Sequence, residues 1–333
     1  MANPFAGTVH QNLEVDEADN DSAFEDDDAQ STTTSLSESI YNYRLEHGRT
    51  YHAYNDGKYI FPNDDRERDR LDLQHHLFNL CFKDKLFFAP IQNPRHTLDI
   101  GTGTGIWAMD FADEYPDCQV VGTDLSPIQP NFVPPNLSFV IDDAEDHWLW
   151  EQKFDFIHFR LMGGSFKDWR TVMQSAYESA CLAPGGYIEI QDYELPPKSL
   201  DGSVKETALE RWGELLIEAA KVASRPIGCC ESFKEWLENV GFVDIQQQVF
   251  VWPTNPWPKG DDEKTLGKWN LLNVTDGLEG FSLALLTRFL KWEKPEVDVL
   301  CAQVRADLRD RSIHGFFDMY EPLLTLQAVL TRV

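Results

Sequence analysis

A glycine-rich loop holds the residues of this sequence whose spacing most clearly suggests chemistry. Residues 98–105 read LDIGTGTG and stand between a short apolar run and a helical pattern. Glycines at a strand-to-helix turn let the backbone approach a ligand closely, and the N–H groups of the following helix point at that ligand. We interpret the loop as the cradle of a small ligand. Its candidate binding residues are Asp99, Gly101, Thr102, Gly103 and Gly105.

The spacing of these glycines indicates which kind of ligand the loop holds. Dinucleotide-binding turns more often have the pattern Gly-x-Gly-x-x-Gly. In this chain the pattern is Gly-x-Gly-x-Gly and the next residue is Ile106, so the dinucleotide form fails. The free N–H groups would still bind an anion such as an amino-acid carboxylate, in place of a pyrophosphate. The loop therefore disfavours an NAD-dependent oxidoreductase.

Acidic residues follow the next two predicted strands. Asp124 lies 23 residues beyond Gly101, close to the ~20 expected for an acid that accepts hydrogen bonds from ribose hydroxyls. A carboxylate there would also repel a 2′-phosphate. After the third strand, we favour Asp143 as the acceptor for an adenine amino group; a solvated acidic loop is the alternative. The candidate nucleoside-binding residues are Asp124, Leu125, Asp142, Asp143 and Ala144.

Alternating strands and helices must position these residues. Apolar runs predict five buried strands, over 97–100, 119–123, 137–141, 154–160 and 187–191. Helices are predicted over 106–115 and from Asp168 to Cys181, and the tight turn Pro184-Gly185-Gly186 ends the second helix and feeds the fifth strand. Such alternation predicts an α/β fold with a doubly wound, mostly parallel sheet covered on both faces.

Further elements flank this unit on both sides. An amphipathic helix is predicted over 64–83, opening at Asp64 or Asp65. Beyond the fifth strand, the pattern predicts helices over 203–223 and 231–240, a strand over 242–252 and a helical insertion over 263–311. These additions are long enough to cover a ligand bound at the sheet.

The charge and the cysteines exclude several kinds of partner. The formal net charge is −27 and the isoelectric point is about 4.6, whereas nucleic acid and anionic lipid membranes require basic surface. The six cysteines form no Cys-x-x-Cys pair and no zinc-ligand spacing with histidine, so we expect no metal. We find no signal-peptide pattern and no apolar run near the ~18–20 residues of a membrane span. We expect reduced thiols and a cytoplasmic and/or nuclear location.

Residues 95–192 resemble class I S-adenosyl-L-methionine (SAM)-dependent methyltransferases. The resemblance rests on the glycine loop, on the acids after the second and third strands, and on the Pro-Gly-Gly turn before the fifth. It implies a Rossmann-like sheet of the seven-stranded type, SAM as the cofactor, and an acceptor for its methyl group. SAM supplies the activated methyl group, so the protein must align the acceptor and exclude water.

A narrower resemblance comes from the flanks of this region. It rests on the runs EHGRTY (46–51), YIFPND (59–64), FRL (159–161), GGYIEIQD (185–192) and EGFSLALLTR (279–288). Over roughly 38–316 the chain is similar to LaeA-like fungal methyltransferases. This implies a fungal origin, a link to secondary metabolism, a small-molecule or protein acceptor, and, in some members, velvet-domain regulatory partners. The alternative is a regulatory interaction protein that binds SAM with little or no methyl transfer.

Composition and the resemblance together divide the chain into five parts. They are a disordered acidic tail (1–36), an N-terminal helical lid segment (37–94), the SAM-binding methyltransferase core (95–260), a helical insertion that caps the acceptor pocket (261–312), and a final strand and tail (313–333). Members of the family often end in an aromatic strand and a Tyr-Gly-Arg-Lys-Pro-like tail. Here 314–324 read HGFFDMYEPLL, so we expect the last strand to be altered or incomplete.

Candidate residues for catalysis and for closure over the cofactor complete the prediction. His158 and Asp192 lie at the carboxyl ends of the fourth and fifth strands, where either could act as a base; a packed histidine and a loop carboxylate are the alternatives. Arg160 ends the fourth strand beside the expected cofactor. Arg49 could bind the methionine carboxylate bidentately, and Tyr51 could contact the sulfonium, against ordinary packing in a surface loop.

Overall fold

The structure, a computed structural model, describes residues 39–178 and 182–325. Its strands are β1 (Arg44–Glu46), β2 (Arg49–Tyr51), β3 (His96–Ile100), β4 (Gln119–Asp124), β5 (Leu137–Ile141), β6 (Phe154–Arg160), β7 (Leu182–Tyr193), β8 (Val243–Pro253) and β9 (Phe316–Thr325). Its helices are α1 (Asp65–Phe82), α2 (Ile106–Glu114), α3 (Trp169–Glu178), α4 (Ala208–Val222), α5 (Phe233–Val240), α6 (Asp261–Ala284) and α7 (Lys294–Arg309). The predicted acidic tail, Cys181 and the end of the chain lie outside the described residues.

Seven strands form one sheet in the order β5-β4-β3-β6-β7-β9-β8. Strands β3 to β7 pair in parallel, and β9 runs antiparallel between β7 and β8. The prediction of a doubly wound, mostly parallel sheet is confirmed. The strand order reverses at β3, and in open α/β sheets ligands bind outside the carboxyl ends of the strands at such a reversal.

Strand β9 lies between β7 and the edge strand β8. It pairs with β7 from Tyr187↔Thr325 to Tyr193↔Met319, and with β8 from Val243↔Thr325 to Pro253↔Phe316. The expectation of an altered or incomplete last strand is therefore wrong as regards pairing. Its sequence departs from the family's usual ending, but its backbone is hydrogen-bonded on both edges.

The Pro-Gly-Gly turn lies inside β7. Pairing with β6 moves from Phe154↔Leu182 to Phe156↔Tyr187, so β7 advances from 182 to 187 while β6 advances from 154 to 156. Gly185 has φ +81°, which suits the irregular segment. The prediction that the strand starts at Tyr187 is corrected, because Leu182 already pairs with β6 before the bulge.

The flanking helices begin where side chains can cap them. Asp64 accepts the N–H of Glu67 at 3.0 Å, and α1 starts at Asp65 as predicted. The predicted helix over 203–223 starts later, at Ala208, because Thr207 is its cap and accepts the N–H of Glu210 at 3.2 Å. The residues before it form turns.

The additions pack as a helical layer beside the sheet. Helix α1 packs on α6, and α4 and α6 pack on α7. The apolar stripe of the insertion is buried here, including Leu283, Leu286, Leu300 and Val304. The segment before the sheet also contains the β1–β2 hairpin, so the predicted lid is not helical throughout. In the described ranges we find no helix long and apolar enough to span a membrane.

Candidate active site

A cleft of about 1120 Å³, which includes its open mouth, lies at the carboxyl ends of β3 to β6. Most of the predicted site residues line it, namely Asp99, Gly101, Thr102, Gly103, Asp124, Leu125, Asp142, Asp143, Ala144 and Arg160. The structure therefore brings the glycine loop and the acids after β4 and β5 to one place.

The glycine loop can be built only with residues that tolerate a left-handed backbone. Gly101, Gly103 and Gly105 have φ of +69°, +58° and +80°. A Cβ on Gly101 would lie 2.2 Å from Met162 Sδ, and one on Gly105 would lie 2.3 Å from Phe139 Cζ. Gly105 does not line the cleft; it lets α2 begin directly against β5. The loop therefore presents backbone without side chains to the cleft.

Asp124 ends β4 and fixes the tip of the loop. Its Oδ2 accepts the N–H of Gly103 at 2.8 Å, and its Oδ1 accepts the N–H of Ser126 at 2.9 Å. Burial raises the pKa of Asp124 to about 6, against the opposing effect of these N–H groups. The carboxylate still has acceptor capacity towards the cleft, which two ribose hydroxyls would satisfy.

Asp143 is held by the segment before the sheet. Its Oδ2 accepts a hydrogen bond from Asn55 Nδ2 at 2.9 Å and another from Lys58 Nζ, and its Oδ1 accepts the N–H of Glu145 at 3.0 Å. Burial raises the pKa of Asp143, but the bonds from Lys58 and Asn55 outweigh it, and the pKa lies below its usual value. Asp142 has no such cation, and burial raises its pKa. Both acids remain candidates for the adenine amino group.

The cleft is acidic. Five carboxylates line it, which are Asp99, Asp124, Asp142, Asp143 and Glu145. Among the described lining residues, the cations are Lys58, already bound to Asp143, and Arg160. Arg160 donates to His75 Nδ1 at 3.1 Å, lies 4.8 Å from the Phe78 ring, and has a pKa lowered to about 10 by burial. Such a cleft favours a cationic ligand that carries one anionic group, which Arg160 can bind.

His158 lies beneath the cleft floor. It is fully buried, its Nδ1 is 2.7 Å from Asp99 Oδ1, and its ring stacks on Trp107 with centroids 3.7 Å apart. Burial lowers the pKa of His158. Asp99 also accepts from the Thr102 hydroxyl at 2.6 Å. His158 does not line the cleft, and it contacts Asp99 and Trp107 beneath the glycine loop.

Arg49 and Tyr51 do not line the cleft, contrary to the sequence prediction. Arg49 donates to both oxygens of Asp64, at 2.5 and 2.8 Å. Tyr51 is buried under the guanidinium of Arg288, whose Cζ lies 4.5 Å from the ring centroid. The predicted residue types do make a bidentate ion pair and a cation–π contact, but their partners belong to this chain.

Asp192 faces a second cavity, which we call the inner chamber. This chamber measures about 570 Å³ and shares Tyr59, Leu71, Gln74 and Leu161 with the cleft. Asp192 is 4% exposed, its Oδ1 accepts the N–H of Tyr193 at 2.9 Å, and its Oδ2 has no hydrogen-bond partner among the described residues. Burial raises the pKa of Asp192 to about 7.

Sequence reasoning missed several cleft residues from α1 and the segment before it. Lys58, Asn63 and His75 all line the cleft. Asn63 donates to Ser126 Oγ at 3.3 Å, and His75 lies 2.9 Å from Asp110 Oδ2. His75 could have been found from the sequence, because it is a polar residue on the buried face of an amphipathic helix.

The sheet order, the glycine loop and the acids after β4 and β5 are those of a class I SAM-dependent methyltransferase. Residues 73–247 match a family described as a methyltransferase domain. The Aspergillus terreus protein named methyltransferase pytC is 42% identical over 87% of this chain and 90% of its own length. The secondary metabolism regulator LAE1 of Cochliobolus heterostrophus is 37% identical over 84% of this chain and 93% of its own.

A third relative, the probable methyltransferase tdiE of Emericella nidulans, is 38% identical over 77% of this chain and 80% of its own length. The chain belongs to the LaeA-like group of SAM-dependent methyltransferases. Enzymes of this class use SAM as the cofactor and require a methyl acceptor.

The residues of the cleft fit SAM. The glycine loop offers bare backbone, Asp124 suits the ribose, and the acids after β5 suit the adenine amino group. The acidic lining suits a sulfonium and an ammonium, while Arg160 suits the single carboxylate. A dinucleotide would bring a pyrophosphate against this acidic wall, which is unfavourable.

Proposed function

We propose that this enzyme methylates an acceptor in fungal secondary metabolism and that the cleft binds SAM in one orientation. The observation that supports it is the meeting of the bare glycine loop with acids from two neighbouring strands. Asp124 would accept from the ribose hydroxyls, and Asp142 or Asp143 from the adenine amino group. Arg160, which lines the cleft together with the bare backbone of the loop, would bind the methionine carboxylate.

The residues around this site would hold it in shape. His158 would act as a positioning residue, because its contact with Asp99 stabilises the floor of the cleft. Lys58 and Asn55 would fasten the N-terminal lid segment over the nucleoside end through Asp143. Bound SAM supplies an electrophilic methyl group, and the protein must exclude water from it.

We also propose a role for each of three parts of the chain. Residues 37–94 act as a lid, since Lys58, Asn63 and Leu71 line the cleft. Residues 261–312 act as the cap of the acceptor pocket, since Phe281 lines the inner chamber. Residues 95–260 form the core that holds SAM.

Labelled SAM tests the proposal. The purified enzyme is incubated with methyl-labelled SAM and either the small-molecule fraction or the protein fraction of a fungal culture. We expect label in one fraction with the wild type, and loss of that label with Asp124→Ala. Equal labelling by both enzymes, or by a heat-inactivated control, would contradict the assignment.

A second candidate function is regulation through velvet-domain partners, in the cytoplasm and/or the nucleus. It is supported by the relatives named as secondary metabolism regulators, such as LAE1. This function predicts partner binding that survives Asp124→Ala, whereas methyl transfer does not. Co-purification of a tagged velvet-domain protein with the wild type and with the variant separates the two.

A further inference from the structure

The inner chamber lies where an acceptor would have to reach the cleft. Leu161 and Tyr59 line both spaces, so the chamber begins at the end of β6, beside the glycine loop. A third cavity of about 330 Å³ continues from it and shares Gln74, Tyr193 and Phe281 with it. The path therefore runs from the cleft into the layer between α1, α4 and α6.

The walls of these two spaces are mostly apolar and aromatic. The inner chamber is lined by Phe61, Leu195, Leu216, Ile227 and Phe281 among others. The cavity behind it is lined by the rings of Trp212, Trp252 and Phe317. Aromatic walls bind flat apolar molecules through burial of apolar surface and through ring contacts.

The charge on these walls indicates that the occupant is neutral. Arg70 is the cation among the described residues that line the inner chamber, and it is already neutralised. Its guanidinium donates twice to Glu67 Oε1, at 2.7 and 2.9 Å, and once to Asn273 at 2.8 Å. An anionic acceptor would find no free cation there, and burying an unpaired charge is costly.

Asp192 is the acidic residue among the described residues that line these two spaces. Its Oδ2 is buried with no well-aligned donor among the described residues, although the backbone N–H groups of Gly163 and Met162 lie near the carboxyl. A neutral acceptor with an O–H group would supply such a donor. Tyr59 and Tyr193 stay protonated near neutral pH because burial raises the pKa of both. The Asp192 carboxyl, whose pKa burial raises to about 7, is suited to take a proton at neutral pH.

We propose that the inner chamber binds a small, neutral, aromatic acceptor through its hydroxyl group, and that Asp192 is the base of the reaction. The hydroxyl proton passes to Asp192 Oδ2 as the oxygen pair forms the bond to the methyl carbon. The carbon–sulfur bond breaks with its electron pair on sulfur, which leaves S-adenosylhomocysteine and the methyl ether. This inference rests on the proposed function, since it needs SAM in the adjoining cleft.

Two naphthalene probes test the chamber without requiring turnover. The full-length enzyme is first titrated with S-adenosylhomocysteine, and the saturated complex is then titrated calorimetrically with 2-naphthol and with 2-methoxynaphthalene. 2-Naphthol has an O–H donor, which 2-methoxynaphthalene lacks. We expect both to bind, and 2-naphthol to bind on the order of tenfold more tightly because it donates to Asp192.

Variants assign the two effects to separate residues. Leu216→Phe should fill the chamber and weaken both probes, whereas the matched change Leu272→Phe, on an exposed position of α6, should weaken neither. Asp192→Leu should remove the preference for 2-naphthol and leave binding of 2-methoxynaphthalene within about threefold.

The outcomes separate this inference from the proposed function. Failure to bind S-adenosylhomocysteine would overturn the proposed function. Binding of S-adenosylhomocysteine with neither naphthalene binding would overturn the chamber and leave the methyltransferase assignment intact. Equal affinity for the two probes would overturn the hydroxyl–Asp192 contact. So would tighter binding of a third, cationic probe, 2-aminomethylnaphthalene, than of 2-naphthol.

Discussion

The backbone N–H of Gly103 donates to Asp124 Oδ2 at 2.8 Å, which ties the tip of the glycine loop to the end of β4. One carboxylate thus orders the loop and faces the cleft. Replacing it should affect ligand binding through both roles.

Asp124→Ala should weaken SAM binding on the order of 100-fold, because hydrogen bonds to a charged group contribute about 1.5–3 kcal/mol each. The dissociation constant is measured by calorimetry. Asp113→Ala, an exposed acid on α2, is the control and should leave it unchanged. Unchanged affinity in Asp124→Ala would show that the ribose site lies elsewhere.

Gly105→Ala should lower the free energy of unfolding by about 2–5 kcal/mol. The left-handed backbone at φ +80° costs about 1–2 kcal/mol with a Cβ present, and the contact with Phe139 adds an overpacking term of about 1–3 kcal/mol. Gly48→Ala has the same kind of backbone, at φ +83°, with open space around its Cβ. Urea unfolding should show a smaller loss there; equal losses would contradict the packing argument.

Arg49→Met should act on stability and leave the cofactor site largely intact. It leaves Asp64 and Glu67 without their shared cation, and breaking a buried pair costs on the order of 3 kcal/mol. Once folded, the variant should bind SAM within about threefold of the wild type. A large loss of SAM affinity with an unchanged free energy of unfolding would instead show that Arg49 contacts the cofactor.

Glu321→Gln should stabilise the protein increasingly as the pH rises. Glu189 and Glu321 are both fully buried, and neither oxygen of Glu321 has a hydrogen-bond partner within residues 39–178 and 182–325. Burial raises the pKa of both carboxyls. The folded state therefore binds more protons than the unfolded state above the ordinary glutamate pKa, and stability falls as pH rises.

Thermal unfolding measured from pH 5 to pH 8 tests this pH dependence. The melting temperature of Glu321→Gln relative to the wild type should rise across this range, by roughly 2 °C or more. Glu218→Gln, at an exposed position of α4, is the matched control and should show no trend. A gain that is constant with pH would rule out proton uptake by this pair.

The sequence predicted the sheet and the cleft because their signals are local. The strands at Leu137–Ile141 and Phe154–Arg160 have the predicted bounds, and Asp124 is the last residue of its strand. The partners of Arg49 and Tyr51 were not predictable in this way. Arg288 lies in the helical turn Leu285–Phe289 after α6, more than 200 residues from Tyr51 along the chain, and only tertiary packing brings the two together.

The inner chamber illustrates the same limit. Asp192 was recognisable as the residue at the end of a strand, but its free Oδ2 depends on where Leu161 and Gly163 place the opposite wall. The ion pair between Lys58 and Asp143 likewise joins residues 85 positions apart. Spacing along the chain gives no signal for contacts of this kind.

A direct titration of ligands into the cleft tests the central claim. The purified protein is titrated calorimetrically with SAM and, separately, with NAD, under the same buffer and salt. The acidic lining and the Gly-x-Gly-x-Gly loop predict one SAM bound per chain and no binding of NAD. Binding of NAD with no binding of SAM would contradict the assignment of this cleft.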